Sequence, residues 1–236
     1  MIALFVLLLI IASAYFAFFS SFFNIKKVEV IGAQTLKQED IIAIAKIKID
    51  SNLILQNTAE KSAMIKENFS RIQDVSVKRS YPNTMIISVE EKQPLIIGVT
   101  LNNFILIDDN GEVIDVMAVD AKPGVSKINA PILSSMIFPV TVTQGQILVE
   151  TSLRQAIAFV KGVPEDRKHL INEIRVKNGF ISIYPTGDFE AIMGDNKNMI
   201  KKLNTLETLL KDTEVLDRAI AYMDLSVPDR PIIKEQ

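Results

Sequence analysis

The apolar and polar positions divide this chain into two parts of different character. From residue 1 to residue 25 no side chain carries a charge, and nearly all are Ile, Leu, Val, Phe or Ala. Four strongly polar residues interrupt the run without forming a polar face: Ser13, Ser20, Ser21 and Asn24. An apolar helix of about 20 residues rises roughly 30 Å, which matches the hydrocarbon core of a bilayer. The pattern therefore predicts a transmembrane helix over residues 1–24.

A cleaved secretory signal peptide is the rival interpretation. Ile2–Ile11 is a compact apolar core, and Ala12-Ser13-Ala14 has the small residues of a cleavage site. The apolar run continues past that point to Phe23, however, and no basic residue precedes the core. The length of the run favours a retained anchor.

The orientation of the helix does not follow from the flanking charges. Lys and Arg tend to stay on the cytoplasmic side, and the nearest cations, Lys26 and Lys27, lie downstream of the helix. Taken alone, this asymmetry favours a cytoplasmic body. We expect instead that a short basic leader before the helix was lost or never existed, so the orientation must come from another argument.

The pattern after the apolar run predicts a compact β-α-α-β-β unit over residues 25–94. Its first strand ends at Gly32, a natural turn position, and a helix follows in which Thr35 is expected to cap the N-terminus together with Gln38. A second helix is expected over residues 58–69. Its predicted buried set is Ala59, Ala63, Ile65 and Phe69.

Two strands complete this unit, joined by a turn at Tyr81-Pro82-Asn83. Val75 and Val77 alternate with Ser76 and Lys78 in the first strand, and Ile86, Ile87 and Val89 form the second.

The remainder, residues 95–236, predicts an α+β unit that is rich in strands. Strands are expected at 95–100, 104–107, 113–114, 174–177, 180–184, 189–193, 219–225 and 230–234, with turns at Asp108-Asp109-Asn110-Gly111, Asn178-Gly179 and Thr186-Gly187-Asp188. Helices are expected at 151–161, with Leu153, Ile157 and Val160 on one face, and at 196–211. In the second helix Met199, Leu203, Leu206 and Leu210 form a core-facing stripe, with the lysines opposite.

Composition excludes several kinds of chemistry. The 26 basic and 28 acidic residues give a net charge of −2, which offers no general attraction to nucleic acid. The chain has no cysteine and one histidine, so disulfides, thiol catalysis and the usual zinc sites are excluded or nearly so. The sequence therefore predicts no cofactor, no metal and no nucleic acid partner.

Few residues have the spacing of a catalytic site. Asp108, Asp109 and Asn110 resemble calcium ligands, but the loop lacks a Gly and a distal bidentate Glu at the required spacing, so a hairpin turn is favoured. His169 has no Ser or Asp neighbour in a recognisable pattern. Glu90 and Glu91 are adjacent in a strand and point to opposite faces. We therefore predict that the protein is not an enzyme.

The last strand is the best candidate for an interaction surface. A sheet edge exposes unpaired N–H and C=O groups, so an extended segment of another protein binds there as one more strand. Pro231 agrees with an edge position, because proline is tolerated at an edge or a strand start but not centrally. Successive side chains of a strand point to opposite faces of the sheet. The alternative for Tyr222 and Ile233 is therefore that their side chains point into the core rather than toward a partner.

Two segments resemble a known domain family. NIKKVEVIGAQTL at 24–36 is similar to the opening of a POTRA domain, and VSVKRSYPNTMIISVEEKQPL at 75–95 resembles its closing hairpin. In that hairpin the family has a basic residue, Pro, Thr, alternating apolar residues, Glu and Pro. The corresponding residues here are Arg79, Pro82, Thr84, Ile86, Val89, Glu90 and Pro94.

The combination of anchor, one POTRA domain and a β-rich domain resembles the bacterial cell division family FtsQ/DivIB. FILIDDNGEVI at 104–114 and IAYMDLSVPDRPIIK at 220–234 are similar to the opening hairpin and the closing strands of its second domain. Residues 117–175 match only in general character. The order of the motifs, rather than any single motif, carries the resemblance.

The resemblance implies a non-enzymatic scaffold of the divisome. It places the N-terminus in the cytoplasm and both domains on the outer side of the plasma membrane at the division septum, where they help to control septal wall synthesis. Its implied partners are FtsB, paired with FtsL, at the terminal strands, and other division proteins at the POTRA domain. Carried over by position, the partner-binding residues are Tyr222, Ser226, Val227, Arg230, Ile232, Ile233 and Lys234.

One departure from the family pattern affects these residues. The family often has Arg after its Asp-Leu pair, whereas Ser226 follows Leu225 here. Arg230 is expected to replace the missing Arg in a salt bridge to an acidic residue of the partner. A surface ion pair of this kind stabilises a complex by about 0–1 kcal/mol.

An alternative function is a POTRA-bearing component of protein translocation or outer-membrane assembly. Proteins of that kind usually have several POTRA repeats or a membrane barrel. The sequence shows one such unit and no long alternating barrel strands, which favours the division role.

Overall fold

The chain is an α+β protein in two compact units, separated between Lys92 and Gln93. The computed structural model describes residues 2–118, 128–136, 138–139, 141–185, 189–212 and 219–236. Each unit has its own hydrophobic core. The predicted turn at Thr186-Gly187-Asp188 lies outside the described residues.

The first unit begins with the apolar helix α1 (Ile2–Phe19), which is followed by a 3-10 helix at Ser21–Phe23. No side chain of α1 is buried. Within the described part of the chain, α1 is the one helix that is long and apolar enough to cross a membrane. Its 18 residues rise about 27 Å, close to the thickness of a bilayer core.

The body of the first unit has the predicted β-α-α-β-β order. Its elements are β1 (Lys27–Ile31), α2 (Gln38–Ile44), α3 (Thr58–Asn68), β2 (Ile72–Ser80) and β3 (Thr84–Glu91). Strand β3 is central, parallel to β1 and antiparallel to β2. The alternation predicted for β2 is confirmed, since Val75 and Val77 are buried, and β3 buries Met85, Ile87 and Val89 in the same way.

Gly32 ends β1 because the backbone there has a left-handed conformation, with φ at +89°. A Cβ at this position would overlap the carbonyl oxygen of Val89 on β3. Only glycine therefore fits without a shift of the strands.

Two local predictions in this unit are wrong. Lys37, not Thr35, is the N-cap of α2, and the Thr35 hydroxyl donates to the Glu91 carboxylate instead. On α3 Ala59 and Ala63 are exposed, whereas Lys61 is buried. The apolar stem of Lys61 packs inward while its Nζ donates to the carbonyl oxygen of Ala45 at 3.0 Å.

The second unit is built on one nine-stranded sheet with the order β12-β11-β10-β9-β8-β7-β4-β5-β6. Its strands are β4 (Ile96–Val99), β5 (Asn103–Ile107), β6 (Val113–Ala118), β7 (Ile132–Leu133), β8 (Glu173–Lys177), β9 (Phe180–Tyr184), β10 (Glu190–Gly194), β11 (Ile220–Asp224) and β12 (Ile232–Glu235). Three neighbouring pairs are parallel: β4 with β7, β7 with β8, and β10 with β11.

Two helices contribute to the main core of this unit: α4 (Thr151–Gly162) and α5 (Met199–Lys211). The predicted apolar stripes are confirmed, since Leu153, Val160, Leu203 and Leu206 are at most 1% exposed. A further 3-10 helix spans Glu165–Leu170. The expectation that the lysines of α5 lie opposite the core is wrong for Lys202, which is 1% exposed.

The turns of the second unit follow their sequence signals. Asn178 and Gly179 have φ values of 53° and 83°, as a tight hairpin between β8 and β9 requires. Asp108 stabilises the turn between β5 and β6, because its Oδ1 accepts the N–H groups of Asn110 at 2.8 Å and Glu112 at 2.9 Å.

Candidate partner-binding edge

Strand β12 lies at one end of the nine-stranded sheet, as expected for the last strand of the chain. Its one strand neighbour among the described residues is β11, with which it pairs in the antiparallel sense. The other side of β12 therefore has the geometry of a sheet edge. Pro231 directly precedes the strand, where its missing N–H does not interrupt the ladder.

The register between β11 and β12 separates the predicted residues into two faces. Met223 pairs with Ile233, and this pair faces the core, where Met223 is fully buried and Ile233 half-buried. Tyr222 pairs with Lys234 on the opposite face, and the Lys234 Nζ lies 5.7 Å from the centre of the Tyr222 ring. Ile232 shares this outer face and is 58% exposed.

The backbone of β12 directs some of its hydrogen-bonding groups outward. The N–H of Gln236 donates to the carbonyl oxygen of Ala219 at 2.8 Å, so this residue faces β11. Because backbone groups alternate along an antiparallel strand, Lys234 and Ile232 also face β11 and Ile233 faces away from it. The N–H and C=O of Ile233 are therefore directed toward the edge.

The loop from Leu225 to Pro231 holds the other three predicted residues. Ser226 folds back on β11, where its N–H and hydroxyl donate to Asp224 Oδ1 at 2.9 Å and 2.6 Å. Val227 is 55% exposed, and Arg230 is also exposed. The loop contacts α5 through an ion pair of 2.6 Å between Lys201 and Asp229.

The structure thus brings together only some of the predicted residues. Tyr222, Ile232 and Lys234 share the outer face, Ile233 faces the core with its side chain, and Ser226, Val227 and Arg230 lie at the end of the hairpin. The hydroxyl of Ser226 bonds within the loop, while the exposed Arg230 remains accessible.

The outer face continues from β12 across four more strands, which sequence reasoning did not include. One cross-strand row follows the pairs of Lys234 with Tyr222, Tyr222 with Glu190, and Tyr184 with Glu173. A second row contains Ile232, Asp224, Ile192, Ser182 and Arg175. In β9 the residues of this face, Ser182 and Tyr184, alternate with the buried Ile181 and Ile183, but the register that aligns them with the neighbouring strands has no signal in the sequence.

Tyr184 and Arg175 are tightly associated on this face. The guanidinium of Arg175 lies 4.5 Å from the centre of the Tyr184 ring, and its Nη1 donates to the Tyr184 hydroxyl at 2.7 Å. Burial raises the pKa of Tyr184, and the negative charge of Glu190 adds to this effect. The phenol therefore stays protonated and available as a hydrogen-bond partner at neutral pH.

The rival sites have structural explanations. Asp109, the second residue of the suspected calcium loop, pairs with Lys161 at 2.8 Å. His169 is exposed, and Glu90 and Glu91 lie on opposite faces of β3, with Glu91 alone buried. Among the described residues, no three His, Asp or Glu side chains group closely enough to hold a metal ion.

Two family models match the chain, one in each unit. Residues 23–92 match the POTRA domain, FtsQ-type, and residues 96–226 match the C-terminal domain of cell division protein FtsQ/DivIB. The second match ends within the loop before β12, so the terminal strand itself lies beyond it.

Curated relatives cover most of the chain. The cell division protein DivIB of Clostridium tetani is 26% identical over 97% of this chain and 86% of its own length. FtsQ of Streptomyces bingchenggensis is 25% identical over 91% of this chain and 77% of that protein, and FtsQ of Caulobacter vibrioides is 24% identical over 92% and 66%.

These matches support a role in cell division that involves protein partners. The N-terminal helix is suited to a single membrane pass. They favour that role over protein translocation or outer-membrane assembly. The chain belongs to the FtsQ/DivIB family of cell division proteins.

Proposed function

We propose that this chain is a non-enzymatic divisome scaffold that captures a segment of FtsB, paired with FtsL, as an additional strand on β12. The observation that carries the proposal is the position of β12 at the end of the sheet, with the backbone of Ile233 directed outward. Main-chain hydrogen bonds along this edge supply binding that depends little on the partner's sequence.

Side chains near the edge supply the selectivity. Ile232 and Val227 are exposed apolar residues that an incoming strand would cover. Lys234 and Arg230 add positive charge beside them, which favours a partner segment with acidic residues. Tyr222 on β11 and Ser226 in the loop lie beside these residues and complete the proposed binding surface.

The proposed organisation has three parts: an anchor at 1–24, a POTRA domain at 25–94 and the partner-binding domain at 95–236. The anchor leaves the N-terminus in the cytoplasm and holds both domains outside, at the septum, where the scaffold helps to control wall synthesis. The POTRA domain binds other division proteins, and a spacer role is its alternative.

Recovery of the FtsB–FtsL pair by the purified protein tests this proposal. Deletion of Arg230–Gln236 is expected to abolish recovery, with the circular dichroism spectrum unchanged. Because the deletion also removes the core contact of Ile233, a matched pair of variants gives a sharper answer. Ile233→Ala and Ile233→Pro both lose that contact, but only proline also removes the outward N–H.

Ile233→Pro should therefore bind FtsB–FtsL more weakly than Ile233→Ala. One lost hydrogen bond of about 1 kcal/mol corresponds to roughly fivefold in affinity. Equal affinities of the two variants would exclude strand addition at this edge.

Side-chain recognition is tested by Ile232→Asp, with Ile200→Asp on α5 as its control. Both isoleucines are 58% exposed, so the two variants change the surface alike. Only the β12 variant should weaken binding. A fluorescent fusion should gather at the division plane, and uniform envelope staining in dividing cells would contradict the septal role.

A further inference from the structure

The loop between α2 and α3 lies against the end of the apolar helix. As the chain leaves α1, the N–H of Leu53 donates to the carbonyl oxygen of Phe23 at 2.8 Å, and the N–H of Ile25 donates to the carbonyl oxygen of Ser51 at 2.9 Å. The N–H of Asp50 returns to the carbonyl oxygen of Ile25 at 2.9 Å. Residues 49–55 therefore run beside the chain at the point where it emerges from α1.

Asn52 fixes the position of this loop along the helix axis. Its side-chain Nδ2 donates to the carbonyl oxygens of Ala17 at 3.0 Å and Phe18 at 3.1 Å, two groups that lack partners within the helix. Its Oδ1 accepts the N–H of Ile54 at 2.8 Å and that of Leu55 at 3.4 Å. The backbone of Leu55 thus lies at nearly the same level as the last turn of α1.

Exposed apolar side chains collect at this level. Outside α1 and the 3-10 helix, the described residues of the first unit expose four large apolar side chains: Ile31, Ile49, Leu55 and Tyr81. Three of these four adjoin the end of the helix. Leu55 is 63% exposed, Ile49 belongs to the same loop, and the Tyr81 ring packs edge-on against Phe23 with 6.3 Å between centroids.

Positive charge accompanies this surface. Lys46 and Lys48 precede Ile49 in the chain and both lysines are exposed, whereas Ile47 between them packs against the core. Exposed cationic side chains beside an exposed apolar one suit a bilayer interface, where the ammonium groups meet phosphates while the apolar group enters the acyl chains.

We propose that Ile49, Leu55 and Tyr81, which together form the membrane-facing surface, rest in the interfacial layer of the bilayer that α1 crosses. The proposal depends on the anchor assigned above, because α1 brings the surface to the bilayer. The interfacial layer is about 5–7 Å thick on each side of the hydrocarbon core. A side chain on a backbone that lies level with the last turn of α1 falls within that layer. The POTRA unit is then held on the lipid surface rather than swinging from a linker.

The absence of tryptophan from the chain allows a direct test. A single tryptophan is placed in the full-length protein at Leu55, at Ile31 or at Leu9. The protein is reconstituted in vesicles of brominated phosphatidylcholine and phosphatidylglycerol in equal amounts, and tryptophan emission is recorded. Ile31 is the matched control because it is 53% exposed in the same unit but lies at the far end of β1. Leu9, midway along α1, reports insertion of the helix.

Leu55→Trp is expected to show blue-shifted emission and quenching by the brominated acyl chains, whereas Ile31→Trp shows neither. Quenching at Leu9 with equal, weak quenching at Leu55 and Ile31 would overturn the proposal and leave the anchor intact. Lack of quenching at Leu9 would overturn both the anchor and the surface that depends on it. Binding of FtsB–FtsL is measured separately, so its failure is distinguishable from either result. In vesicles, Lys46→Glu combined with Lys48→Glu should also reduce the blue shift at Leu55.

Discussion

Both units bury charged side chains on backbone groups, and Glu91 in the first unit and Lys202 in the second carry opposite charges. In the first unit the Glu91 carboxylate accepts three consecutive N–H groups, from Gln34 at 2.7 Å, Thr35 at 3.0 Å and Leu36 at 3.2 Å. In the second unit the Lys202 Nζ donates to the carbonyl oxygens of Met193 at 2.7 Å and Asp195 at 2.9 Å. Each charge satisfies the backbone where a strand gives way to a loop.

The difference lies in what surrounds each group. Gln34 and Thr35 are exposed, so water is able to replace the carboxylate at their N–H groups. Met193 is fully buried, so its carbonyl has no such substitute. Arg71, 3.4 Å from the Glu91 carboxylate, and Asp195, 3.2 Å from the Lys202 Nζ, supply the opposite charges. Loss of the buried cation should therefore cost more stability than loss of the buried anion.

The largest effect is expected for Lys202→Met, which keeps the apolar stem and removes the donor. The buried carbonyl of Met193 is left unsatisfied, at about 1–3 kcal/mol, and the bonds to Asp195 are lost as well, so we expect a loss of about 3 kcal/mol in the free energy of unfolding. Denaturant unfolding, monitored by a tryptophan introduced at the exposed Phe180, measures the second unit. The control, Lys201→Met, breaks only the exposed pair with Asp229 and should change stability by less than about 1 kcal/mol. Equal effects of the two variants would contradict a structural role for Lys202.

Glu91→Ala is expected to lower the free energy of unfolding of the first unit by about 2 kcal/mol, because water replaces part of the hydrogen bonding that the carboxylate provides. A tryptophan at Ile31 reports the unfolding of this unit. Glu90→Ala, its neighbour on the exposed face of β3, should change stability by no more than about 0.5 kcal/mol. A loss as large as that of Lys202→Met would invalidate the comparison between the two units.

The contribution of Glu91 should depend on pH. Burial raises the pKa of this carboxyl, but the Thr35 hydroxyl and the N–H groups of Thr35, Leu36 and Gln34 outweigh it and hold the pKa below its ordinary value of 4.5. The stabilisation is then fully present above the pKa of the unfolded chain and is lost as the pH falls through the lower folded value. The stability difference between wild type and Glu91→Ala should be constant at neutral pH and shrink in acid below about pH 4. A difference that grew in acid would contradict the assignment.

These buried charges also mark the limit of what the sequence predicts. Residue type alone places Lys202 and Glu91 on the surface, because charged residues are almost never fully buried unless they are paired. Most of their hydrogen-bond partners are backbone groups, which leave no trace in the pattern of side chains. The spacing of Thr35 to Gln38 fits a helix cap, yet the nearby carboxylate of Glu91 binds the Thr35 hydroxyl instead. A contact between residues distant in the chain outweighed the local signal.

The strands themselves were largely predictable from alternation and turn residues, whereas their order in the sheet was not. The two residues of β7 are too few to show a period, although β7 joins β4 to β8 in the single nine-stranded sheet. The edge position of β12 was predictable, since a last strand preceded by Pro231 is poorly suited to the sheet interior. The outer face that extends to Arg175 depends on register across five strands, which the sequence does not specify.

The smallest effect is expected for Lys61→Met, which tests whether the depth of burial determines how much stability is lost when a lysine donor is removed. Lys61 repeats the arrangement of Lys202 in the first unit, donating to the carbonyl oxygens of Ala45 at 3.0 Å and Lys46 at 3.4 Å. Its bonds are longer, and it is 9% exposed against 1% for Lys202. We therefore expect a loss of about 1 kcal/mol, measured with the tryptophan at Ile31. Lys66→Met, on the exposed side of α3, is the control. Each lysine donates to two carbonyl oxygens. If Lys61→Met cost as much stability as Lys202→Met, the number of these acceptors would determine the loss, and their exclusion from water would not.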